Sequence, residues 1–174
     1  MYAIRKSIDI DFSHHIRGHR GPCINIHGHT WKFEVCLEAY ELDEQGFVVD
    51  FGKLKADVLR PCHALLDHSL AVGQTTFDDI QTGLEPVGTA LLASRKKPAT
   101  SDVSSMELGG AQLRSPGGLK VAVFPFNPTS ERIAKWLFDL AVLKLEDTRV
   151  KVAFARIYET LHPVESVAEF HRRA

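Results

Sequence analysis

Two segments early in the chain alternate apolar and polar residues, which is the pattern of a half-buried β-strand. In 4–12, isoleucine and phenylalanine side chains share one face while aspartates take the other. From Trp31 to Leu37, every second residue is apolar. Because successive side chains of a strand point to opposite faces, each segment has one face that can pack on a core. The pattern predicts two strands, and the second extends back to His27 if its parity holds.

A turn and a helix are predicted directly after the second strand. The turn is expected at 43–46, and the apolar residues 47–49 predict the return of a hairpin. Asp50 is well placed to cap a helix beginning near Phe51, because its side chain can accept backbone N–H groups of the first turn. Pro61 should terminate or kink this helix, since proline has no backbone N–H to donate.

The end of the chain predicts a strand, a helix and a further strand. The strands are expected over 119–126 and 150–158, and the helix over 128–145, where apolar residues keep a helical period. Asn127 is the expected cap of this helix, and Pro128 suits its first turn. The order of elements predicts an α+β fold, in which two helices lie on one face of a largely antiparallel, four-stranded sheet.

The stretch 74–118 carries the weakest pattern. Glycine, proline, serine and threonine are spread through it, and only a short helix at 84–94 is predicted. It has too few apolar residues to bury a core of its own. We therefore expect a single domain over 1–174, with 74–118 as an inserted, partly mobile excursion.

Composition limits the classes of function. The chain has 44% hydrophobic and 25% charged residues, as soluble globular proteins do, and its net charge of -1 excludes the basic excess of a nucleic-acid binder. A small-molecule ligand is the expected partner. There is no run of about 18 apolar residues and no apolar signal segment near Met1, so we expect a cytoplasmic protein without membrane contact. Three cysteines without framework spacing predict reduced thiols.

Candidate metal ligands are concentrated in 13–31, where five of the nine histidines lie. His27 and His29 are two residues apart, so on a strand their imidazoles point to the same side. His14 continues the apolar face of the first strand, whereas His15 falls on the other face. A lone inward histidine more often bonds to the backbone, but two on one face with a third nearby favour a shared metal ion.

Three neutral imidazoles without a fourth protein ligand are typical of catalytic zinc, where water or substrate takes the fourth position. Cys23 is the alternative fourth ligand of a closed structural site, or else a thiolate base or nucleophile. Asp67 and His68 are either a general acid–base pair or a surface pair at a helix end. Glu159 follows a predicted strand, and most glutamates at strand ends are simply solvated.

Five short motifs follow one another along the chain. They are Cys23-x-x-x-His27-Gly28-His29, Val49-Asp50-Phe51-Gly52-Lys53-Leu54-Lys55, Leu66-Asp67-His68, Asn127-Pro128-Thr129-Ser130-Glu131 and Tyr158-Glu159-Thr160. In this order they resemble the family of 6-pyruvoyltetrahydropterin synthase and 6-carboxytetrahydropterin synthase, over most of the chain outside 74–118. A lone His-Gly-His would be a weak signal, whereas five ordered motifs are specific.

The resemblance implies the tunnelling fold, a pterin substrate and a catalytic zinc ion. The residues that match the family's zinc ligands are His14, His27 and His29. The resemblance also implies that Cys23 is the thiol that abstracts a proton, and that Asp67 and His68 form the other acid–base group. It implies that Glu159 anchors the guanidine-like edge of the pterin. The residues that line the same pocket are Thr129 and Ser130.

The spacing of the first motif separates branches of the family. Three residues between Cys23 and His27 resemble the 6-carboxytetrahydropterin synthase branch, which serves queuosine and other 7-deazapurine pathways. The implied reaction converts 7,8-dihydroneopterin triphosphate to 6-carboxy-5,6,7,8-tetrahydropterin, with release of acetaldehyde and triphosphate. The first alternative is a pyruvoyl-type synthase, which eliminates triphosphate without breaking a carbon–carbon bond. The second is a non-catalytic, zinc-stabilised binding module.

The resemblance also bears on assembly. The family assembles around a barrel with active sites at subunit interfaces, which implies a homo-oligomer here. Cys23 and the Asp67–His68 pair of one site would then come from different chains. Open edges of a small antiparallel sheet would favour such strand-to-strand association. The long segment between His68 and Pro128 departs from the family pattern, and it bears on substrate range and access to the pocket.

Overall fold

The computed structural model describes residues 1–94, 106–160, 162 and 165–172. By contacts among its Cα atoms, the chain divides into two compact units. The first unit comprises Met1–Ile10, His29–Ala64 and Thr129–Ala174. The second unit comprises Asp11–Gly28 and Leu65–Pro128. No helix of the described residues combines the length and the apolar composition that crossing a membrane requires.

The described residues form eight strands and four α-helices. The strands are β1 Tyr2–His14, β2 His27–Ala39, β3 Leu70–Gly73, β4 Glu107–Leu108, β5 Ala111–Arg114, β6 Val121–Phe124, β7 Val150–Thr160 and β8 Ser166–His171. Hydrogen bonding orders them β4-β5-β6-β3-β1-β2-β7-β8. The helices are α1 Phe51–Leu54, α2 Arg60–Leu66, α3 Gln74–Leu92 and α4 Ser130–Leu145. The predicted α+β class is correct, but the sheet has more strands than the four expected.

In the first unit, β2 pairs with β7 and β7 with β8, both antiparallel. The apolar face of β2, from Trp31 to Leu37, is fully buried, as its alternation predicted. Helix α4 packs on β7 and β8 and buries Ile133, Leu137 and Ala141 completely. The strand begins at His27, so the parity that relates His27 to the buried residues of β2 holds in the structure.

The helical segment after Asp50 does not terminate at Pro61, which was one of the two predicted outcomes. Asp50 caps it as expected, since its Oδ1 accepts N–H groups of Gly52 and Lys53 at 2.6 and 3.3 Å. The helix does not end at Pro61 but continues to the end of α2 through a π-helical turn, Lys55–Leu59. This turn spaces its hydrogen bonds one residue further apart than an α-helix. Proline is therefore accommodated directly behind a local change in helical pitch.

Two further predictions in the first unit are wrong in detail. Residues 47–49 follow the turn at 43–46 but form no strand. The guanidinium of Arg149 donates to the carbonyls of Glu41, Phe47 and Val48, at 3.0, 3.2 and 2.8 Å, and so satisfies this segment without a strand partner. Helix α4 is capped not by Asn127 but by a threonine two residues later, whose side chain accepts the N–H of Arg132.

In the second unit, β3 lies parallel to both of its neighbours, the end of β1 and β6. This contradicts a largely antiparallel sheet locally, although β4–β5 and β5–β6 are antiparallel. Within the predicted excursion, α3 runs over 19 residues instead of the short helix expected at 84–94. Its Phe77 packs with Val72, Val121 and Val123. The prediction of mobility includes 95–105, which lie outside the described residues.

Helix α3 is held close to a short 3-10 turn, Pro116–Gly118. A Cβ atom placed on Gly88 would lie 2.7 Å from the carbonyl oxygens of both Pro116 and Gly117. Gly117 has a φ of +55°, which glycine adopts without strain. A Cβ on Gly83, in the same helix, would meet no atom within 4 Å. The close approach of the 116–118 turn therefore requires glycine at position 88 of α3 and not at position 83.

We expect alanine at these two positions to change stability in opposite directions. Gly88→Ala should lower the free energy of unfolding by about 1–3 kcal/mol, because the new methyl group overlaps two backbone carbonyls that cannot rotate away. Gly83→Ala should raise it by roughly 0.5–1 kcal/mol, since alanine has the better helix propensity. Urea unfolding of the two variants and the parent protein measures both values. Equal effects of the two substitutions would contradict the packing of α3 described here.

Candidate metal centre

His14 is the last residue of β1 and is completely buried. Its Nδ1 lies 3.1 Å from the carbonyl oxygen of Pro128. Because a carbonyl oxygen can only accept a hydrogen bond, Nδ1 must carry the proton. The neutral ring then presents an unprotonated Nε2, which is the form of imidazole that binds metal ions.

His27, the first residue of β2, is held in the same tautomer. Its Nδ1 lies 2.9 Å from the carbonyl oxygen of Asn25, and its Nε2 lies 3.1 Å from Nε2 of His14. Two neutral rings of this tautomer have no proton to share between their Nε2 atoms, so a cation between them removes the repulsion of the facing lone pairs. Tetrahedral zinc places two ligand nitrogens roughly 3.3–3.4 Å apart. The observed distance fits such an ion.

His29 and Glu159 lie side by side in the first unit. His29 packs edge-on against Trp31, with ring centroids 5.4 Å apart. Its Nε2 lies 3.7 Å from one carboxylate oxygen of Glu159. The other carboxylate oxygen accepts a hydrogen bond of 2.6 Å from the hydroxyl of Ser130, the first residue of α4. The Ser130 hydroxyl therefore fixes the rotation of the Glu159 carboxylate.

The structure brings together the three histidines that the sequence singled out. One ligand atom from each of four residues falls in a group whose members all lie within 4.8 Å of one another, namely His14, His27, His29 and Glu159. Three imidazoles and a carboxylate are donors that suit Zn²⁺, so this group could hold a metal ion. The group contains neither Cys23 nor His15. Among the described residues, the fourth member of the group is thus a carboxylate and not the thiol considered as an alternative.

Cys23 lies in a 3-10 turn, Pro22–Ile24, and is half-buried. Its carbonyl oxygen accepts the N–H of Ile16 at 3.1 Å, which closes the loop between the two. Cys36 and Cys62 are buried, and burial raises the pKa of both thiols. Burial disfavours the thiolate, which is the reactive form of cysteine. Cys23 is therefore the accessible thiol of the described chain.

Asp67 and His68 form a direct pair in the turn after α2. Nδ1 of His68 lies 3.0 Å from Oδ2 of Asp67, and the His68 side chain is 80% exposed. Adjacent side chains of a strand would point apart, but His68 has a φ of +57° and belongs to no strand. Lys120, which sequence analysis missed, donates to the carbonyl oxygen of Asp67 at 2.6 Å. Burial lowers the pKa of Lys120, and the charge of Asp67 opposes that shift.

Neighbouring side chains of the motif around residue 128 make hydrogen bonds to different partners. Thr129 accepts the N–H of Arg132 at 3.4 Å, so its hydroxyl caps α4, while Ser130 contacts Glu159. The Asn127 side chain bonds to the backbone of Arg17, a contact that sequence analysis did not foresee. No local pattern signals a contact between residues 110 positions apart.

Comparison with known proteins gives consistent matches along almost the whole chain. The model of the family described as 6-pyruvoyl tetrahydropterin synthase matches residues 3–170. The 6-carboxy-5,6,7,8-tetrahydropterin synthase of Rickettsia typhi is 29% identical over 161 residues, covering 92% of this chain and 95% of that protein. The protein of the same name from Haemophilus influenzae is 28% identical over 164 residues, covering 92% and 94%.

Solved structures are similar over the same extent. An uncharacterized protein from Wolinella succinogenes is 26% identical with a TM-score of 0.73, covering 99% of this chain and 98% of that chain. The 6-pyruvoyl tetrahydropterin synthase of Caenorhabditis elegans is 16% identical with a TM-score of 0.56, covering 99% and 96%. These similarities confirm the tunnelling fold that the sequence motifs implied.

We expect the two neighbouring histidines of β1 and its following loop to differ in metal binding. His14→Ala should weaken Zn²⁺ binding by about 100-fold or more, because it removes a buried donor nitrogen. His15→Ala should leave the affinity within about twofold, since His15 is not in the donor group. Titration calorimetry of the metal-free proteins measures both affinities. If His15→Ala lost Zn²⁺ binding and His14→Ala kept it, His15 and not His14 would be the metal ligand.

Proposed function

Since the chain belongs to the 6-pyruvoyl tetrahydropterin synthase family, we propose that it is a zinc-dependent 6-carboxy-5,6,7,8-tetrahydropterin synthase. The reaction takes 7,8-dihydroneopterin triphosphate and one water to 6-carboxy-5,6,7,8-tetrahydropterin, acetaldehyde and triphosphate. The observation that carries the proposal is the group of three imidazoles and one carboxylate. The names of the Rickettsia and Haemophilus relatives and the three-residue spacing from Cys23 to His27 support it. The product would serve queuosine or other 7-deazapurine synthesis.

In this proposal the zinc ligands are His14, His27 and His29. When bound, zinc supplies a Lewis acid that polarises side-chain oxygens of the substrate and so eases removal of carbon-bound protons beside them. The carbonyls of Asn25 and Pro128 hold two of the imidazoles in the tautomer that can bind it.

Glu159 is proposed to bind the pterin ring. A carboxylate can accept two parallel hydrogen bonds from the adjacent N–H groups of the pterin's guanidine-like edge, which selects this ring over others. The hydrogen bond from Ser130 orients the carboxylate for that contact. Thr129 lies directly before Ser130 at the start of α4 and is proposed to line the same pocket.

Two groups are proposed to move protons. The thiolate Sγ of Cys23 takes a carbon-bound proton from the substrate side chain. His68 acts on the other side through Nε2, because Asp67 accepts a hydrogen bond from Nδ1 and so leaves Nε2 as the basic nitrogen.

The proposal includes a homo-oligomer with active sites at subunit interfaces. The sheet ends in β4 and β8, whose outer edges are strand edges of the described chain. Unpaired strand edges present N–H and C=O groups that a second chain can pair with. A site shared between chains would combine Cys23 of one copy with the Asp67–His68 pair of another.

We expect the zinc-loaded protein to release acetaldehyde from 7,8-dihydroneopterin triphosphate. Cys23→Ala should lower kcat by about 100-fold or more, because the base is lost, while the zinc content stays at the parent level. Cys36→Ala removes a buried thiol by the same substitution and should keep activity. Acetaldehyde is measured by coupled reduction, the pterin product by chromatography and zinc by elemental analysis.

The same experiment separates the alternatives. A diketo pterin without acetaldehyde would identify a pyruvoyl-type synthase and exclude the proposed reaction. If Cys23→Ala instead lost its zinc and unfolded, the site would be structural and Cys23 would be a ligand.

We expect Glu159→Gln to raise KM for the pterin substrate by about 10- to 100-fold. The amide replaces one acceptor oxygen with a donor, which cannot accept the ring N–H and leaves it unpaired. Ser130→Ala should act in the same direction but more weakly, since it only frees the carboxylate to rotate. Glu131→Gln makes the same change on an exposed residue of α4 and should have no effect. Loss of zinc from Glu159→Gln, with KM unchanged, would make Glu159 a metal ligand instead.

A further inference from the structure

We propose that Asn127 is a positioning residue, which holds the loop that carries Cys23 in place for proton abstraction. This inference rests on the function proposed above and adds a residue to it. The sequence pattern predicted Asn127 as the cap of α4, but Thr129 has that role. The side chain of Asn127 is therefore available for a contact elsewhere in the second unit.

The Asn127 amide bonds to both backbone groups of one residue. Its Oδ1 accepts the N–H of Arg17 at 3.3 Å, and its Nδ2 donates to the carbonyl of Arg17 at 2.9 Å. An amide is suited to this pairing because it carries one acceptor and one donor side by side. An aspartate would offer two acceptors and repel the carbonyl. The contact is thus specific for asparagine and independent of the Arg17 side chain.

Arg17, whose backbone is bound by Asn127, directly follows Ile16, the residue whose hydrogen bond to Cys23 closes the loop. Ile16 donates its N–H to the carbonyl of Cys23 at 3.1 Å and accepts the N–H of His19 at 3.3 Å. Beyond Cys23, the N–H of Asn25 bonds to the carbonyl of Pro22 at 2.9 Å. Through these bonds, fixing the backbone of residue 17 fixes the turn that presents the thiol.

The same segment also holds the first metal ligand. Pro128 follows Asn127 directly and accepts the hydrogen bond of His14 through its backbone carbonyl. Because Pro128 makes that contact through its backbone carbonyl, a substitution of the Asn127 side chain leaves it in place. Asn127 and Pro128 thus relate the position of the thiol to that of His14, and the two contacts can be separated by mutation.

A further long-range side-chain contact of this loop is an ion pair between Arg17 and Asp79 at 2.5 Å. Its two side chains are 49% and 55% exposed, and ion pairs so exposed contribute little to stability. Asp79→Ala therefore provides a matched control. This variant removes the ion pair of the Arg17 side chain but keeps the hydrogen bonds between Asn127 and the Arg17 backbone.

The proposal is tested with Asn127→Ala, Asn127→Asp and Asp79→Ala. Steady-state release of acetaldehyde gives kcat and KM, elemental analysis gives zinc content, and the rate of alkylation by iodoacetamide reports the accessibility of Cys23. Cys36 and Cys62 are buried thiols of raised pKa, so the fast-reacting thiol is Cys23.

For Asn127→Ala we expect kcat to fall about tenfold or more, because a displacement of the base by one ångström is costly. KM and zinc content should stay at the parent values, and alkylation should become about threefold faster as the loop loosens. Asn127→Asp keeps the bond from the Arg17 N–H but repels the Arg17 carbonyl, so it should lower kcat as alanine does. Asp79→Ala should match the parent in all four measurements.

Unchanged kcat and unchanged alkylation in Asn127→Ala would overturn the proposal. So would a fall in kcat that is accompanied by loss of zinc and a lower melting temperature, since Asn127 would then be merely structural. If the alanine variant does not fold, the comparison of Asn127→Asp with Asp79→Ala decides. If the parent protein releases no acetaldehyde, the proposed function fails, while alkylation still tests whether Asn127 holds the Cys23 loop.

Discussion

The contact between Nε2 of His14 and Nε2 of His27, at 3.1 Å, is unfavourable for two neutral rings that carry their protons on Nδ1, and a cation between them relieves it. Backbone carbonyls create this condition, because each one accepts a hydrogen bond from Nδ1 and leaves Nε2 as the unprotonated nitrogen. The carbonyls belong to Pro128 and Asn25, so the main chain sets the chemistry of the site. Substitutions at those two positions can preserve it as long as the backbone keeps its course.

Strand pairing and the segment before α4 fix the positions of His14, His27 and the residues near them. His14 ends β1, which pairs with β3 at Ala71, and His27 begins β2. The short motif from Asn127 to Ser130 serves three purposes with successive groups, since it grips the Cys23 loop, holds His14 and orients Glu159. This explains in physical terms why the motif is informative as a sequence signal. Asn127, Pro128 and Ser130 each have a separate partner far away along the chain, whereas Thr129 caps α4 locally.

Local periodicity was sufficient to predict what depends on neighbouring residues. The parity of β2 placed His27 and His29 on the buried side, and Asp50 was recognised as a cap because its partners follow it directly. Periodicity could not reveal contacts over long separations, such as Arg149 with the 41–48 carbonyls or Lys120 with Asp67. It also missed most of α3, because glycine and proline within the helix hid its pattern.

The parallel pairing of β3 with β6 has a consequence for how this chain can vary in length. Gly73, where β3 ends, lies opposite Phe124, and Val121, where β6 begins, lies opposite Leu70. Between these two parallel strands the chain runs through α3 and then through the outer strands β4 and β5, and it reaches β6 from β5. Closing a longer loop between fixed ends costs only a logarithmic increase in entropy. The two-residue turn between Leu108 and Ala111 joins the two outermost strands at this end of the sheet, so it is a natural place for evolution, or for an engineer, to graft additional sequence.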